Sequence, residues 1–208
     1  MNIIEALNWR YAVKQFNSTK LTTEQINGLT ESARLAPSSY GMQPYQLVVV
    51  ENEQLKNACI EASFGQAKVA ASSHLLVFAN NTNFGQVDID NYFDNLAKTQ
   101  GAPAESLAAY KAQIEGDLLN KSAEEIAIWA QQQAYIALGM TLTYAAANKI
   151  DACPMTGFDS QAFNQILGLD ALNLNAAIIC PVGFRADDDK YASKTKYRKH
   201  IDELVVNI

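Results

Sequence analysis

Residues 10–16 read Arg-Tyr-Ala-Val-Lys-Gln-Phe, and the rest of the chain is organised around this stretch. It follows a short apolar segment at helical spacing and precedes a helix that we expect to begin at Thr22. Its two cations, Arg10 and Lys14, stand four residues apart, so either a helical or an extended backbone places both on one side. The pair is suited to hold an anionic or carbonyl-rich ligand. The simpler interpretation is two solvated surface cations, because charged residues are normally exposed.

The composition describes an acidic globular protein. The chain has 208 residues, of which 49% are hydrophobic and 18% are charged, and this suits one domain with a buried core. Its net charge of −6 argues against nonspecific nucleic-acid binding, so any anion site must be a local cluster of cations. No apolar run has the length of a membrane span. We therefore expect no nucleic-acid partner and no membrane segment.

The cysteines and histidines bear on the redox compartment and on metal binding. Cys59, Cys153 and Cys180 are odd in number and far apart, which is typical of reduced thiols. No signal-peptide pattern is visible at the start of the sequence. Both observations predict a cytoplasmic protein. The two histidines, His74 and His200, have no partner at metal-ligand spacing, so we predict no metal site.

A polar loop separates the first long helix from the first predicted strand. Thr22 and Gln25 form a capping box that starts the helix, and Pro37 ends it. Residues 37–45 contain two prolines, a glycine and two serines, and the apolar run 47–50 then predicts a buried strand. A loop in this position is a common place for a binding site, although an ordinary connector has the same composition.

Helices and strands alternate through the rest of the chain. Residues 53–62 predict a helix, and residues 74–79 and 176–180 predict core strands. Residues 81–121 are rich in Asn, Asp and Gln and predict an insertion of two helices that covers the core, and such a cover often forms one wall of a substrate pocket. The alternation indicates a mixed sheet flanked by helices.

A long helix is predicted from Ser122, which forms a capping box with Glu125, to Asn148. At 1.5 Å per residue its roughly 26 residues span nearly 40 Å, and they are apolar or small almost all round. A helix that is apolar all round must be buried. In a chain of this size, such a helix predicts a subunit interface and hence a homodimer.

Four segments near the C-terminus carry further candidates. Residues 154–157 form a tight loop whose N–H groups suit a ligand, or a plain turn into the next helix. The acidic run 187–189 predicts a solvated surface. The basic cluster 194–200 suits a phosphate site, although a solvated face has the same pattern. Residues 204–206 predict a terminal strand that lies as an arm on a neighbouring subunit.

Five short motifs, taken together, resemble the FMN-dependent nitroreductase family over nearly the whole chain. They are Arg10-x-x-x-Lys14-x-Phe16, Ala36-Pro37-Ser38-Ser39 with Gln43-Pro44, Gln66-x-x-Val69 with Ser72-Ser73-His74, Pro154-Met155-Thr156-Gly157-Phe158, and Lys196-Tyr197-Arg198. The resemblance implies a nitroreductase-like α+β fold over residues 1–208, with a central mixed but mainly antiparallel sheet. It also implies an intertwined homodimer with two FMN sites at its interface.

The resemblance further implies a role for each matching residue. Arg10 and Tyr11 would lie on the ribityl-phosphate side of FMN, joined at the phosphate by Lys196 and Arg198. Lys14 would face the flavin pyrimidine, where a cation stabilises the negative charge of the reduced ring. Lys14 is therefore the residue that we expect to tune the flavin, and no side-chain general acid is nominated.

The remaining implied contacts come from three loops. Gln66 and Lys68 would approach the same polar edge of the flavin as Lys14. The partner subunit would supply a proline and two serines, Pro37, Ser38 and Ser39. The loop on the other side, with backbone N–H groups near flavin N5, would be formed by Pro154, Met155, Thr156 and Gly157.

Three positions depart from the family pattern. Ala12, in the flavin-contacting segment, stands where many members have Ser, and Gly65 stands where some have Asn, so two side-chain contacts are absent. Thr156 stands where a well-studied subgroup has Glu, so a backbone contact is retained but a carboxylate role is lost. These departures leave open both the acceptor and the choice between NADH and NADPH.

The activity that the resemblance implies is ping-pong oxidation of NAD(P)H on FMN, with a nitroaromatic or quinone as the electron acceptor. One alternative is an FMN enzyme of the same fold that acts on a dihydropteridine, a flavin or an enone. A flavin-binding regulatory module without useful turnover is a second alternative. A purely structural dimer is the third.

Overall fold

A computed structural model describes residues 2–208. Its helices are α1 (Ile3–Trp9), α2 (Thr23–Arg34), α3 (Glu53–Ala62), α4 (Lys68–Ala71), α5 (Gln86–Gln100), α6 (Ala108–Leu118), α7 (Ala123–Ala147), α8 (Ser160–Leu167) and α9 (Ile201–Leu204). Its strands are β1 (Tyr45–Val50), β2 (His74–Asn81), β3 (Asp151–Ala152) and β4 (Leu174–Gly183). The predicted α+β class is confirmed.

The four strands form one sheet in the order β1-β2-β4-β3, and each neighbouring pair is antiparallel. A single parallel bridge joins Ala12 to Ala152, beyond β3. The sheet is therefore mainly antiparallel, as predicted. The expectation of a buried strand at 47–50 is wrong in one respect, because β1 is an edge strand on which Gln46 and Val49 are exposed.

Helices cover both faces of the sheet, which explains why its central strands are continuous apolar runs. On β2, Leu76 and Phe78 face one cluster of buried side chains, which includes residues of α2 and α7. Leu75 and Val77 face the second cluster, which includes residues of α3 and α8. The alternation follows the two-residue period of a strand.

The long helix α7 begins at the predicted capping box of Ser122 and Glu125. It contains 25 residues, and many of its small side chains are buried against the sheet. The expectation of burial on every side is not met within one chain. Four large side chains of α7 are exposed, and we call them the α7 apolar face: Ile128, Tyr135, Ile136 and Met140.

Two helices, α5 and α6, occupy the segment predicted to contain them. They pack together around a third apolar cluster that includes Ile89, Phe93 and Ile114. Trp129 of α7 belongs to the same cluster, so the pair of helices is joined to the main body of the fold.

The prediction of a terminal strand at 204–206 is wrong. His200 caps a single helical turn, α9, and the chain then continues without regular structure to Ile208. Within residues 2–208 this tail has no strand beside it, and a strand requires a neighbour that completes its hydrogen bonds. Its apolar side chains remain exposed.

No helix in the described part of the chain combines the length and apolar character that a membrane span requires.

Candidate functional site

The stretch 10–16 is extended and lies at one edge of the sheet. Its Ala12 pairs with Ala152 of β3, and its Phe16 pairs with Arg185, just after β4. The spacing of Arg10 and Lys14 allowed a helical or an extended backbone. Helix α1 ends at Trp9, so the backbone that follows is extended. The stretch thereby delivers its cations to the end of β3.

Three cations lie close together at that end, two from the stretch 10–16 and one from the start of α4. Burial raises the pKa of the Cys153 thiol, while Lys68, Lys14 and Arg10 all oppose this shift because they lie close to it. Cys153 directly follows β3 and precedes the predicted 154–157 loop. In the sequence, the spacing paired Arg10 with Lys14, and only the family resemblance added Lys68 to the same site. The structure brings all three cations close to one buried thiol, that of Cys153.

Arg10 is partly buried, and its Nε atom is inaccessible to solvent and has no hydrogen-bond partner in the described chain. Burial lowers the pKa of this guanidinium, and the nearby Arg198 lowers it further. A buried donor without an acceptor costs free energy, and a bound anion removes that cost. The geometry around Arg10 therefore fits an anionic group such as a phosphate.

The C-terminal basic cluster folds back onto Arg10. The Lys196 ammonium donates a hydrogen bond of 2.7 Å to the Arg10 carbonyl oxygen and another to the Asn8 carbonyl oxygen. Arg198 donates from Nη1 to the carbonyl oxygen of Tyr197. Lys196 thus connects this segment to the main chain of Arg10, while the other residues of 194–200 are exposed, so the phosphate site stays a prediction.

Five cations of the site carry no carboxylate partner. Among the salt bridges within residues 2–208, at a limit of 4.0 Å, none involves the following five side chains: Arg10, Lys14, Lys68, Lys196 and Arg198. The whole chain has a net charge of −6, so this cluster is a local exception to an acidic surface. Uncompensated positive charge of this kind attracts an anionic ligand.

A glutamine connects two of the predicted loops. Gln66 donates from Nε2 to the carbonyl oxygens of Ser63 and Gly157, each at 3.0 Å, and its Oε1 accepts from Lys68 Nζ at 2.8 Å. Burial lowers the pKa of Lys68, and Lys14 adds to this. Gln66 thus fixes the Lys68 ammonium beside the 154–157 loop.

The 154–157 loop offers two free N–H groups. The Met155 N–H donates to the Ile179 carbonyl oxygen at 2.8 Å, so it belongs to the sheet and is not available to a ligand. Thr156 and Gly157 are exposed, and in the described chain their N–H groups donate to no protein acceptor. Pro154 has no N–H to offer. The backbone contact predicted for this loop is therefore possible at Thr156 and Gly157 alone.

Tyr11 directs its side chain into the protein. Its hydroxyl donates to Asp189 Oδ2 at 3.0 Å, and its ring lies 4.6 Å from the guanidinium carbon of Arg185. The prediction that 187–189 is a solvated run is wrong for Asp189, which is 4% exposed. Sequence reasoning missed both partners, since no local pattern distinguishes Asp189 from its exposed neighbours.

The loop of Pro37, Ser38 and Ser39 is held elsewhere in the chain. The Ser39 N–H donates to Gln133 Oε1 at 2.8 Å, and Ser38 Oγ accepts from the Gln43 N–H at 3.0 Å. These bonds fix the loop against α7, before the start of β1.

One chain does not bring that loop to the cations. Strand β1 and the stretch 10–16 lie on opposite edges of the sheet, four strand spacings or about 19 Å apart. Through the pairing register, Tyr45 lies at the level of Asn80 and Ala152 at the level of His74, a further offset of about 20 Å along the strands. The start of β1, which the loop precedes, and the Ala12–Ala152 bridge beside the cations are therefore separated by on the order of 25 Å.

Comparisons with known proteins agree on one family. Residues 7–184 match the sequence model of the nitroreductase family. A Staphylococcus saprophyticus protein named "Putative NAD(P)H nitroreductase" is 30% identical over 212 residues, which cover 98% of this chain and 95% of that protein.

Solved structures share the fold over the whole chain. A Bacillus subtilis protein described as a "putative nitroreductase" superposes with a TM-score of 0.87 and 23% identity, over 99% of this chain and 98% of that one. An Exiguobacterium sibiricum protein with the same description, solved in complex with FMN, has a TM-score of 0.86 and 21% identity, over 100% and 98% of the two chains.

Proposed function

The chain belongs to the nitroreductase family, and on that premise we propose that it reduces nitroaromatic or quinone-type acceptors in a ping-pong reaction. It is a flavin oxidoreductase that uses FMN, with NAD(P)H as the electron donor. When bound, FMN takes a hydride from NAD(P)H and passes reducing equivalents to the acceptor. The protein supplies binding, orientation and electrostatics.

The observation that carries the proposal is the cluster of five cations without carboxylate partners. Its phosphate side contains Arg10 with an unsatisfied buried Nε, and Lys196 and Arg198 lie beside it. Arg10, Lys196 and Arg198 would hold the phosphate of FMN, whose negative charge would neutralise part of the cluster. The residues present therefore fit the cofactor.

A second pair of cations, Lys14 and Lys68, lies close to Cys153, as Arg10 of the phosphate side does. Cations at the pyrimidine edge of a flavin favour its reduced, negatively charged form. The free N–H groups of Thr156 and Gly157 orient a bound ring from the neighbouring loop. These residues bind and orient the cofactor, and none is assigned as a general acid.

We propose a homodimer, because one chain leaves the site incomplete. The loop of Pro37, Ser38 and Ser39, which the family resemblance assigns to the site, lies far from the cations of its own chain, and this supports a second copy as its source. The α7 apolar face offers an interface for that copy, since four large apolar side chains are exposed on one helix. The exposed apolar tail, 204–208, is suited to lie on the partner, where the edge strand β1 has an unpaired side.

The first experiment is a visible spectrum of the purified protein, followed by anaerobic addition of NADH and, separately, NADPH. We expect a flavin band that bleaches with one or both donors, and reoxidation of the bleached protein by a nitroaromatic or a quinone. A flavin band that does not bleach favours the regulatory alternative. Reoxidation by an enone, a dihydropteridine or free flavin alone would replace the proposed acceptors. A protein that stays colourless after incubation with excess FMN and desalting contradicts the proposal.

A further inference from the structure

Asp189 is a buried carboxylate with four hydrogen-bond donors around it. Its Oδ2 accepts from the Tyr11 hydroxyl at 3.0 Å, from the Lys14 N–H at 2.9 Å and from the Gln15 N–H at 3.3 Å. Its Oδ1 accepts from the Tyr191 N–H at 3.0 Å. No cation in residues 2–208 forms a salt bridge with it. The buried charge is balanced by directed donors, which tie two distant segments together.

One of these segments is the stretch 10–16, which contains Arg10 and Lys14. The other begins the C-terminal part of the chain that contains Lys196 and Arg198. Asp189 fixes the backbone of Lys14 through one oxygen and the backbone of Tyr191 through the other. The Lys14 ammonium lies 5.8 Å from the centre of the Tyr191 ring, within the range of a cation–π contact. One carboxylate therefore holds the main chain of Lys14 and that of Tyr191, whose ring centre lies 5.8 Å from the Lys14 ammonium and 4.2 Å from the Lys194 ammonium.

The Tyr11 side of this arrangement is rigid. The Arg185 guanidinium carbon lies 4.6 Å from the Tyr11 ring and 4.2 Å from the Trp9 ring. Arg185 is in turn paired with buried Asp151, with 2.6 Å between Nη2 and Oδ1. Tyr11 is thus held from its ring and from its hydroxyl, and the stretch that ends at Lys14 cannot shift without breaking these contacts.

We propose that Asp189 is a positioning residue for the cofactor site, acting through Lys14. The inference rests on the proposed function, since it concerns the same site. The Asp189 carboxylate sets the position of the Lys14 ammonium, and the flavin affinity of the protein depends on that position.

The test is the FMN affinity of the apoprotein, measured by quenching of flavin fluorescence, for Asp189→Asn. An amide offers one acceptor oxygen where the carboxylate offers two, and its NH₂ group faces a donor. We expect the Kd for FMN to rise on the order of tenfold. The matched control is Asp187→Asn, which makes the same charge change at an exposed position of the same run. We expect the control to stay within about twofold of the wild type.

A double-mutant cycle separates positioning from general support of the fold. If Asp189 acts through Lys14, the effect of Asp189→Asn on the Kd shrinks to about threefold or less once Lys14→Ala is present. Equal effects of Asp189→Asn in both backgrounds would mean that it acts independently of Lys14 and would overturn the inference. An unchanged Kd in Asp189→Asn alone would overturn it as well.

Two further measurements keep the result unambiguous. Wild-type protein that does not bind FMN refutes the proposed function, and the inference with it, whereas wild-type binding with an unaffected Asp189→Asn refutes the inference alone.

If Asp189→Asn does not fold, Tyr11→Phe takes its place in both experiments. It removes one of the four donors and keeps the ring on Arg185, so we expect a smaller rise in the Kd that also shrinks when Lys14→Ala is present. An unchanged Kd in Tyr11→Phe then overturns the inference.

Discussion

The Lys196 ammonium donates a hydrogen bond of 2.7 Å to the backbone carbonyl of Arg10. This contact joins residues 186 positions apart and closes the cation cluster around the end of β3. Because the bond uses the main chain of Arg10, the guanidinium of that residue stays free. The same cluster contains Lys14. Its Arg10 end is expected to bind the phosphate of FMN and its Lys14 end the flavin ring, so the two ends can be tested separately.

Arg10→Ala tests the phosphate end. We expect the Kd for FMN to rise on the order of tenfold to a hundredfold, because a charge-assisted hydrogen bond to the phosphate is lost. The Kd for riboflavin, which lacks the phosphate, should change by about twofold or less. Titration of the apoprotein with both flavins provides the comparison. Arg34→Ala is the control, since Arg34 is exposed and pairs only with Glu31 of its own helix.

An equal loss of affinity for FMN and riboflavin would place Arg10 away from the phosphate. With that outcome the cation cluster would still be a flavin site, but the flavin would bind to it in the opposite orientation.

Lys14→Ala tests the ring end. We expect weaker retention of FMN, by on the order of tenfold, or a comparably slower reductive half-reaction in stopped-flow measurements with NAD(P)H. The reason is the loss of a cation that favours the negatively charged reduced flavin. Lys190→Ala, an exposed lysine of the C-terminal segment, is the control. Normal flavin content together with a normal reductive rate would remove Lys14 from the site.

Ile136→Asp tests the interface. Ile136 is 43% exposed on α7, and a charge there disfavours burial of the α7 apolar face against a second copy. We expect the protein to shift from dimer to monomer in light scattering and to lose bound FMN, because in the proposed dimer the partner supplies Ser38 and Ser39. Val87→Asp is the control, because Val87 is a 71% exposed apolar residue on α5. A monomeric variant that retains FMN would show that one chain is sufficient.

The pH dependence of stability tests the state of Asp189. Burial by itself raises the pKa of Asp189, but hydrogen bonds from the N–H groups of Lys14 and Tyr191 and from the Tyr11 hydroxyl outweigh it, so the pKa lies below its ordinary value. A carboxyl group of this kind stabilises the fold above its unfolded pKa, about 4, and the stabilisation is lost as the pH falls through the lower folded value.

We therefore expect the free energy of unfolding of wild type to exceed that of Asp189→Asn at neutral pH, with a difference that shrinks below about pH 4. Urea titrations between about pH 7 and about pH 3 measure it. Asp187→Asn should show no such trend relative to wild type. A difference that stays constant over the whole range would indicate that the pKa of Asp189 is the same in the folded and the unfolded protein.

Local patterns predicted the elements of this fold where the signal is local. The capping boxes at Thr22 and at Ser122 are both present, and helix α3 has its predicted bounds. The errors lie where a neighbour decides the outcome. Strand β1 has a run of four apolar residues but lies at a sheet edge, and the apolar tail has no strand to pair with in its own chain.

The sequence by itself determined the helices, the strands and the motifs that resemble one family, because capping, hydrophobic period and motif spacing are properties of neighbouring residues. Only the tertiary structure decided which residues meet. Strand order and register bring Lys196 to Arg10 and bury Asp189, while they hold Ser39 on the far side of the sheet. These contacts connect residues far apart in the chain, and their free energy depends on burial and direction, which no local pattern specifies.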